Sequence, residues 1–468
     1  VSTATGARGG SPGAWGSTTW ARTSSALGVG AALVAVLAGR PDLAVLAVLA
    51  VPPLAHGAWG LLVRRPSLPP GAQVTAGHEG TAGAEVPARL ALAVPAGTDA
   101  VHVRLRGPGE RHLLLDAART EVPVRARTAR TGLHPLLAAD ALALGTEGAV
   151  ASGPVAGQPL PVLVLPAVAL LPAAPLPWRL RGATGPHDDR RPGHGTDPLD
   201  VARWQPGERL RRVDWRTTVR RSAATGGVVH ELHVRRSLAT AEASVVLVLD
   251  SRDEVGPDPA TWSGVLPVPD DVRTSLDVAR AAGAALARRY LEQGDRVALE
   301  DLGRHGRPVP AGGGRRHLQR LVRRLAAAAP QDRPAPRRRA PHVPAGALVV
   351  VLSTFLDDEA ARLAHGWRRA GHRVVAVDVL PVPRARSTAV RTALRLVLLE
   401  REDRLAALVR TGVELVAWSV DGPAADAAGA RAARLAALTR LRPRPGATGR
   451  PGAGVSPATA PGGSGMKW

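Results

Sequence analysis

The spacing of apolar positions changes character along the chain, and each change announces a different kind of structure. Two nearly continuous apolar runs come first, residues 24–39 (SSALGVGAALVAVLAG) and 43–63 (LAVLAVLAVPPLAHGAWGLLV). A helix that crosses a bilayer needs about 20 such residues. The second run has that length. The first reaches it only if its helix begins near Trp20, which puts Arg22 at the headgroups. The tight link Arg40-Pro41-Asp42 makes the pair a helical hairpin over residues 24–65, with Pro52-Pro53 tolerated as a kink in mid-span. A signal peptide does not explain a second apolar run, whereas a buried soluble hairpin remains an alternative. Residues 1–23, rich in Gly, Ser and Thr, read as disordered.

From residue 66 to 176 the period becomes two. Short alternating runs such as VPARLALAV (86–94), AVHVRL (100–105) and EVPVRA (121–126) are separated by Gly and Pro turns, which predicts a β-sandwich-like domain. The run PVLVLPAVALL (161–171) reads as one more strand, placed at a sheet edge by its prolines. Residues 177–240 are polar and Arg-rich. From 241 to 425, Val/Leu strands alternate with segments of helical period: SVVLVL (244–249), a helix over 275–291, a strand at 296–300, a helix over 315–328, ALVVVL (347–352), a helix from 358 to 369, and strands at 372–380 and 413–417. Continuous apolar strands between helices predict a doubly wound, Rossmann-type α/β domain with both sheet faces covered. The Pro/Arg run 330–344 reads as a surface loop inside it, and residues 426–468 as a terminal helix with a disordered basic tail.

Composition changes this picture in three ways. Hydrophobic residues are 45% of the 468 but aromatics only 3%, so the cores must be built from Ala, Val and Leu. The formal net charge is +22, carried almost wholly by Arg because Lys467 is the sole lysine. With the Ala, Gly and Pro excess this reflects a GC-rich bacterial coding bias as well as function, and Val1 fits an alternative start codon. Such a charge suits acidic partners, anionic lipid or nucleic acid. Cysteine is absent, which removes disulfides, thiol catalysis and Cys-based zinc sites. Arg8, Arg22, Arg64 and Arg65 flank the hairpin, so the positive-inside rule places both termini and the soluble domains in the cytoplasm, on a plasma-membrane anchor of two spans.

Enzyme signatures are missing from the sequence: there is no Walker A loop, G-x-S-x-G elbow or H-E-x-x-H helix. A hydrolase built on Asp250, Asp253 and Asp357 would lack an evident nucleophile or base, so no enzymatic activity and no catalytic residue is expected. Those three acids lie after two predicted strands, where open α/β sheets bind ligands. They make a degenerate oxygen site, with Arg252 beside it. No cofactor is expected, Mg²⁺ at that site being the one candidate.

The densest feature is RWQPGERLRRVDWRTTVRR (203–221), with two Trp, seven Arg and two acids, Glu208 and Asp214. Read from its residues, it is a clasp between domains: Trp204 and Trp215 anchor on the α/β domain with Arg stacked on their faces, and the two acids neutralise nearby Arg. The alternative is a site for an acidic partner or a phosphate. This segment resembles the signature of the DUF58 family at Trp204, Pro206, Gly207, Glu208, Arg211, Arg212, Val213, Trp215 and Arg220, with Asp214 between them. The order of elements over about residues 24–420 is similar too. Glu208 stands where the family usually has Asp, and Ala202 where Arg is often found. The resemblance implies that the α/β domain is von Willebrand factor A-like. The metal pattern of such domains, Asp-x-Ser-x-Ser, meets Arg252 and Glu254 at its two Ser positions and Thr354 at a later Asp. It further implies a membrane-anchored protein-interaction or adaptor protein, partner of a MoxR-type AAA+ ATPase and its client proteins in the assembly or maturation of protein complexes. A basic protein binding anionic lipid or nucleic acid without catalysis is the alternative function.

Overall fold

The computed structural model describes residues 14–50, 55, 59 and 70–440, apart from positions 78, 108, 146–147, 183, 225–227, 230, 305–306, 332–336, 338 and 420–423. The described residues open with strand β1 (Trp15–Ser17) and helix α1 (Thr19–Ala38), and α2 (Pro41–Ala50) follows after a turn at Gly39. Residues 14–23, expected to be disordered, are therefore ordered: β1 finds its partner strand some 135 positions later, a contact that composition cannot display. The helix begins at Thr19, whose predecessor Thr18 caps it by accepting from the Ala21 amide. That start supplies the length the apolar run alone lacked. Leu27, Val29, Leu33, Val36 and Leu37 of α1 face outward, and α1 is the one helix among the described residues long and apolar enough to cross a membrane or serve as a signal sequence. Most of the second predicted span, beyond Ala50, lies outside the described residues.

The β-rich part contains β2 (Gly71–Ala76), β3 (Glu79–Thr81), β4 (Glu85–Ala93), β5 (Thr98–Arg106), β6 (Arg111–Asp116), β7 (Glu121–Arg127), β8 (Gly132–Gly145), β9 (Val150–Ser152) and β10 (Leu160–Leu165). β8 organises the larger sheet: its first half pairs with β10 and its second half with β5, while β9 and then β1 add beyond it. β2, β4 and β7 form the other sheet. Alternate residues of β4 are buried, and Leu90 and Leu92 meet Val101, Val103, Val162 and Val164 across one core. The strand at 160–165 is not at an edge, since β10 lies between β8 and β3. Its prolines do not break the ladder: Pro161 falls at a register shift and Pro166 just past the last residue.

A long ribbon, β11 (His187–Arg203) with β12 (His233–Ala241), carries α3 (Trp215–Ala223) near its far end and runs directly into the third unit. That unit holds β13 (Ser244–Leu249), α4 (Ser275–Glu292), β14 (Arg296–Asp301), β15 (Val309–Gly312), α5 (Arg315–Ala326), β16 (Leu348–Ser353), α6 (Asp358–Arg369), β17 (Arg373–Asp378), α7 (Thr388–Arg410), β18 (Glu414–Ala417) and α8 (Ala424–Arg440). Its sheet has the order β15-β14-β13-β16-β17-β18, parallel except for β15. Val245, Leu247 and Leu249 of β13 pack with Leu286, Tyr290 and Leu325 from α4 and α5. Val246 and Val248 pack on the other face with Leu363, Trp367 and Leu408 from α6 and α7. The chain is thus multidomain, with mixed sheets and helices. Residues after 440, including the expected basic tail, lie outside the described residues.

The β-rich unit and the α/β unit are joined by a buried polar knot. Asp277, in the first turn of α4, accepts from the backbone amide and hydroxyl of Thr131 at 2.6 Å each. Arg280 donates to the Thr131 and Ala328 carbonyls at 2.5 Å. Arg130 lies 2.6 Å from Glu254 and 3.0 Å from Asp277. The Tyr290 hydroxyl adds a bond to the Pro175 carbonyl, 2.6 Å, in the connecting segment.

Candidate functional site

The signature segment sits at the far end of the ribbon. At the ribbon's base, His187 pairs with Ala241 in register and its ring contacts Asp295 at 2.9 Å, just before β14. Eight residue steps along β12 separate Ala241 from His233, about 26 Å at ~3.3 Å per residue. There Arg203 pairs with His233 and the chain turns through Pro206-Gly207, Gly207 taking φ +101°, a conformation that favours glycine. Glu208 closes the turn: its carboxylate accepts from the Gln205 amide at 2.9 Å and Arg236 at 3.3 Å, and its carbonyl accepts from the Trp204 indole at 2.9 Å. Val213 is buried and bridges to Val234. Asp214 caps α3, accepting from the Thr217 amide at 3.2 Å and from Arg235 at 3.0 Å. Arg235, with help from that amide, holds the Asp214 carboxyl down to about 2. Thr218 and Ser222 turn inward, Thr218 accepting from the His233 amide.

What remains of the segment points to solvent. Trp215 is 61% exposed, Leu210 62% and Val219 57%. Around them stand Arg209, Arg211, Arg216 and Arg220, all exposed and without a side-chain partner among the described residues. The clasp reading is thereby corrected. Trp215 does not anchor on the α/β domain, whereas Glu208 and Asp214 do neutralise nearby arginines, Arg236 and Arg235 of β12. Two arginines of the segment bond inward to the ribbon: Arg212 to the Gly193 carbonyl at 3.0 Å and to His194 at 2.9 Å, and Arg221 to the His233 ring at 3.0 Å. The stacking expected at Trp204 and Trp215 occurs elsewhere, Arg368 over Trp178 and Arg431 over Trp418. The joint between domains is made by Arg130, Thr131 and Asp277, residues that nothing in their local sequence distinguishes.

The second predicted site lies at the opposite, C-terminal ends of β13 and β16. Asp250 and Asp357 do come together, but around Arg252. Its Nε and Nη2 each donate to Asp250 at 2.8 Å; Nη1 and Nη2 donate to Asp357 at 2.5 and 2.9 Å, and Nη1 also to Glu359 at 3.1 Å. Ser353 donates to Asp250 at 2.7 Å. Asp253 turns aside and accepts from Thr354 at 3.0 Å. Burial, reinforced by the neighbouring Asp250, pushes its carboxyl up to about 6. Glu254 belongs to the domain joint, where Thr274 and Arg130 both donate to it. Phe355, fully buried with φ +53°, holds a strained loop that Arg401 and Arg404 of α7 brace through the Thr354 and Phe355 carbonyls. Among the described residues no group of three or more His, Asp or Glu is arranged to hold a metal ion.

The family model described as "Protein of unknown function DUF58" matches residues 200–388, from the outer half of the ribbon through the strand-end cluster. Uncharacterized proteins of Mycobacterium bovis and Mycobacterium tuberculosis are 30% identical over 213 residues, which is 42% of this chain and 58% of theirs. The chain thus spans a little over half the length of the curated relatives it matches. No solved structure matches the chain.

Proposed function

From the match of residues 200–388 to the DUF58 family, we propose that this protein is a membrane-anchored, non-enzymatic adaptor whose docking element is the arm tip. The observation that carries the reading is the outward display of Trp215 with Leu210, Val219 and four arginines, on a helix capped by Asp214 and fixed to a paired ribbon. An indole in an apolar patch ringed by guanidinium groups suits a partner that offers an apolar pocket bordered by carboxylates. By the family resemblance that partner is a MoxR-type AAA+ ATPase, and the α/β unit is a von Willebrand factor A-like domain that engages client proteins.

The anchor is a two-span hairpin in the plasma membrane with the soluble units cytoplasmic. One fact supports the even number of crossings: β1, which precedes α1, pairs with β9, which follows the hairpin. Thr18 also donates to the Gly148 carbonyl at 2.9 Å, so the residues before α1 and those of the β-rich unit meet in one sheet. The test is a pull-down of the detergent-solubilised full chain from its host, in moderate salt with nuclease. Recovery of an AAA+ ATPase, lost by about tenfold or more for Trp215→Ala or for Arg211→Glu with Arg220→Glu, is the expected result. Recovery of nucleic acid or anionic lipid alone, with binding that collapses as salt rises, would replace the adaptor by a general anion binder.

A further inference from the structure

We propose that Arg252 is a resident cation, filling the position between the ends of β13 and β16 that the resemblance would assign to a divalent metal. A guanidinium has five N–H donors in a planar fork. Here the fork makes five hydrogen bonds, to Asp250, Asp357 and Glu359, which tie the end of β13 to the start of α6. The oxygens lie 2.5–3.1 Å from three different nitrogens. They are therefore splayed around a plane, whereas Mg²⁺ draws about six oxygens to ~2.1 Å from one point. The Arg252 side chain is 9% exposed, so its charge lies inside the carboxylate ring. A second cation there would meet that charge at close range, among carboxylates that already accept from the guanidinium.

The fit to a metal therefore fails, and it fails because a covalently attached cation is seated first. The consequence is a strand-end face that is assembled at any metal concentration. Ser353 and Phe355 belong to the same structure: the Ser353 hydroxyl donates to Asp250 and accepts from the Phe355 amide at 3.0 Å, so the strained loop is keyed to the carboxylate that Arg252 holds. The oxygen set itself is latent. Without the guanidinium, Asp250, Asp357, Glu359 and the Ser353 hydroxyl remain around a space with no counter-charge.

The test is Mn²⁺ binding by electron paramagnetic resonance, with thermal unfolding in chelator or in millimolar Mn²⁺, on the solubilised full chain. Wild type is expected to bind no Mn²⁺ at this face and to shift by less than about 1 °C. Arg252→Ser is expected to unfold about 5–10 °C lower in chelator and to recover at least half of that loss with Mn²⁺, as ligand linkage requires for a site of about 0.1 mM affinity at millimolar metal. Arg252→Lys, whose compact ammonium cannot bridge both strand ends, is expected to lose stability without gaining Mn²⁺. Stoichiometric Mn²⁺ binding by wild type that Asp250→Asn abolishes would overturn the proposal, and this reading needs no folded Arg252 variant. Arg252→Ser as stable as wild type in chelator would overturn it equally.

Discussion

Asp277→Ala tests the joint between the two soluble units. The carboxylate is almost fully buried and accepts from Thr131 twice at 2.6 Å and from the Thr274 amide and hydroxyl at 2.9 Å, with Arg130 at 3.0 Å and Arg280 at 3.4 Å. Removing one partner of a buried ion pair costs about 3–5 kcal/mol, because the other charge stays buried. The substitution also removes the carboxylate half of the α4 capping box, about 0.5–1 kcal/mol, while Thr274 keeps its bond from the backbone amide at 277. Two compensations pull the sum down: Arg130 keeps Glu254, and Arg280 keeps the Thr131 and Ala328 carbonyls. The expected loss is therefore about 3–4 kcal/mol, or roughly 10 °C at ~2–4 °C per kcal/mol for a unit of this size. Thermal unfolding of the solubilised chain reads it, and proteolysis in the connecting segment near residues 166–186 should accelerate alongside. Glu79→Ala is the control, since its ion pair with Arg323 also spans the units but is largely exposed and is worth about 0–1 kcal/mol. If Asp277→Ala costs no more than Glu79→Ala, the buried knot is not what joins the units.

Two further outcomes follow from the same geometry. Asp253 has its carboxyl raised to about 6, so the folded state binds a proton that the unfolded state has released. Its contribution to stability is present near pH 4 and is lost as pH rises through about 6, a swing of about 2 kcal/mol between pH 4.5 and pH 8. Asp253→Asn should remove that swing and be the more stable form at pH 8; denaturant midpoints at the two pH values decide it, and parallel curves would refute the assignment. Gly207→Ala should strain the arm tip by about 1–2 kcal/mol through its left-handed backbone although no neighbour would be touched. Amide hydrogen exchange should then quicken in α3 but not in β13–β18, and uniform exchange would show that the arm is not an independent element.

How far these features were legible depends on where each element gets its energy. SVVLVL and ALVVVL declare themselves because both their faces are buried, and 358–369 declares itself through Asp357 at the cap and an apolar stripe ending in Trp367. β11 could not be read. Its sequence, HDDRRPGHGTDPLDVAR, has no period of two, and the ladder to β12 supplies its order, with register shifts absorbing the extra residues. α7 was hidden for the opposite reason: Leu396, Val397 and Leu399 lie exposed, so no single apolar stripe marks it. The degenerate oxygen site was visible as residue types, and Arg252 was seen beside it. That the arginine would fill the site required the geometry of its fork.

The arm tip was misread because a Trp in an Arg-rich segment is usually an anchor, and the local physics of α3 shows why it is not one here. Arg216 stands in the first helical turn, against the positive end of the helix dipole. Arg216 and Arg220 are like charges one turn apart, a pairing that weakens a helix by about 0.2–0.5 kcal/mol. Thr217, Thr218 and Val219 are β-branched and lose rotamer freedom in a helix. Trp215, at the first position, contributes little burial to offset these costs. The helix holds because Asp214 caps it and Thr218 and Arg221 seat it on His233 of β12, none of which needs the tryptophan, Arg216 or Arg220. A segment whose outward residues work against its own stability, on a ribbon that sets them about 26 Å from the sheet, has residues its fold does not call for. That surplus is what an interaction surface requires, and it lies at the opposite end of the sheet from the Arg252 cluster. In the proposed docking role, a partner held at the arm would leave the strand-end face uncovered for a second contact.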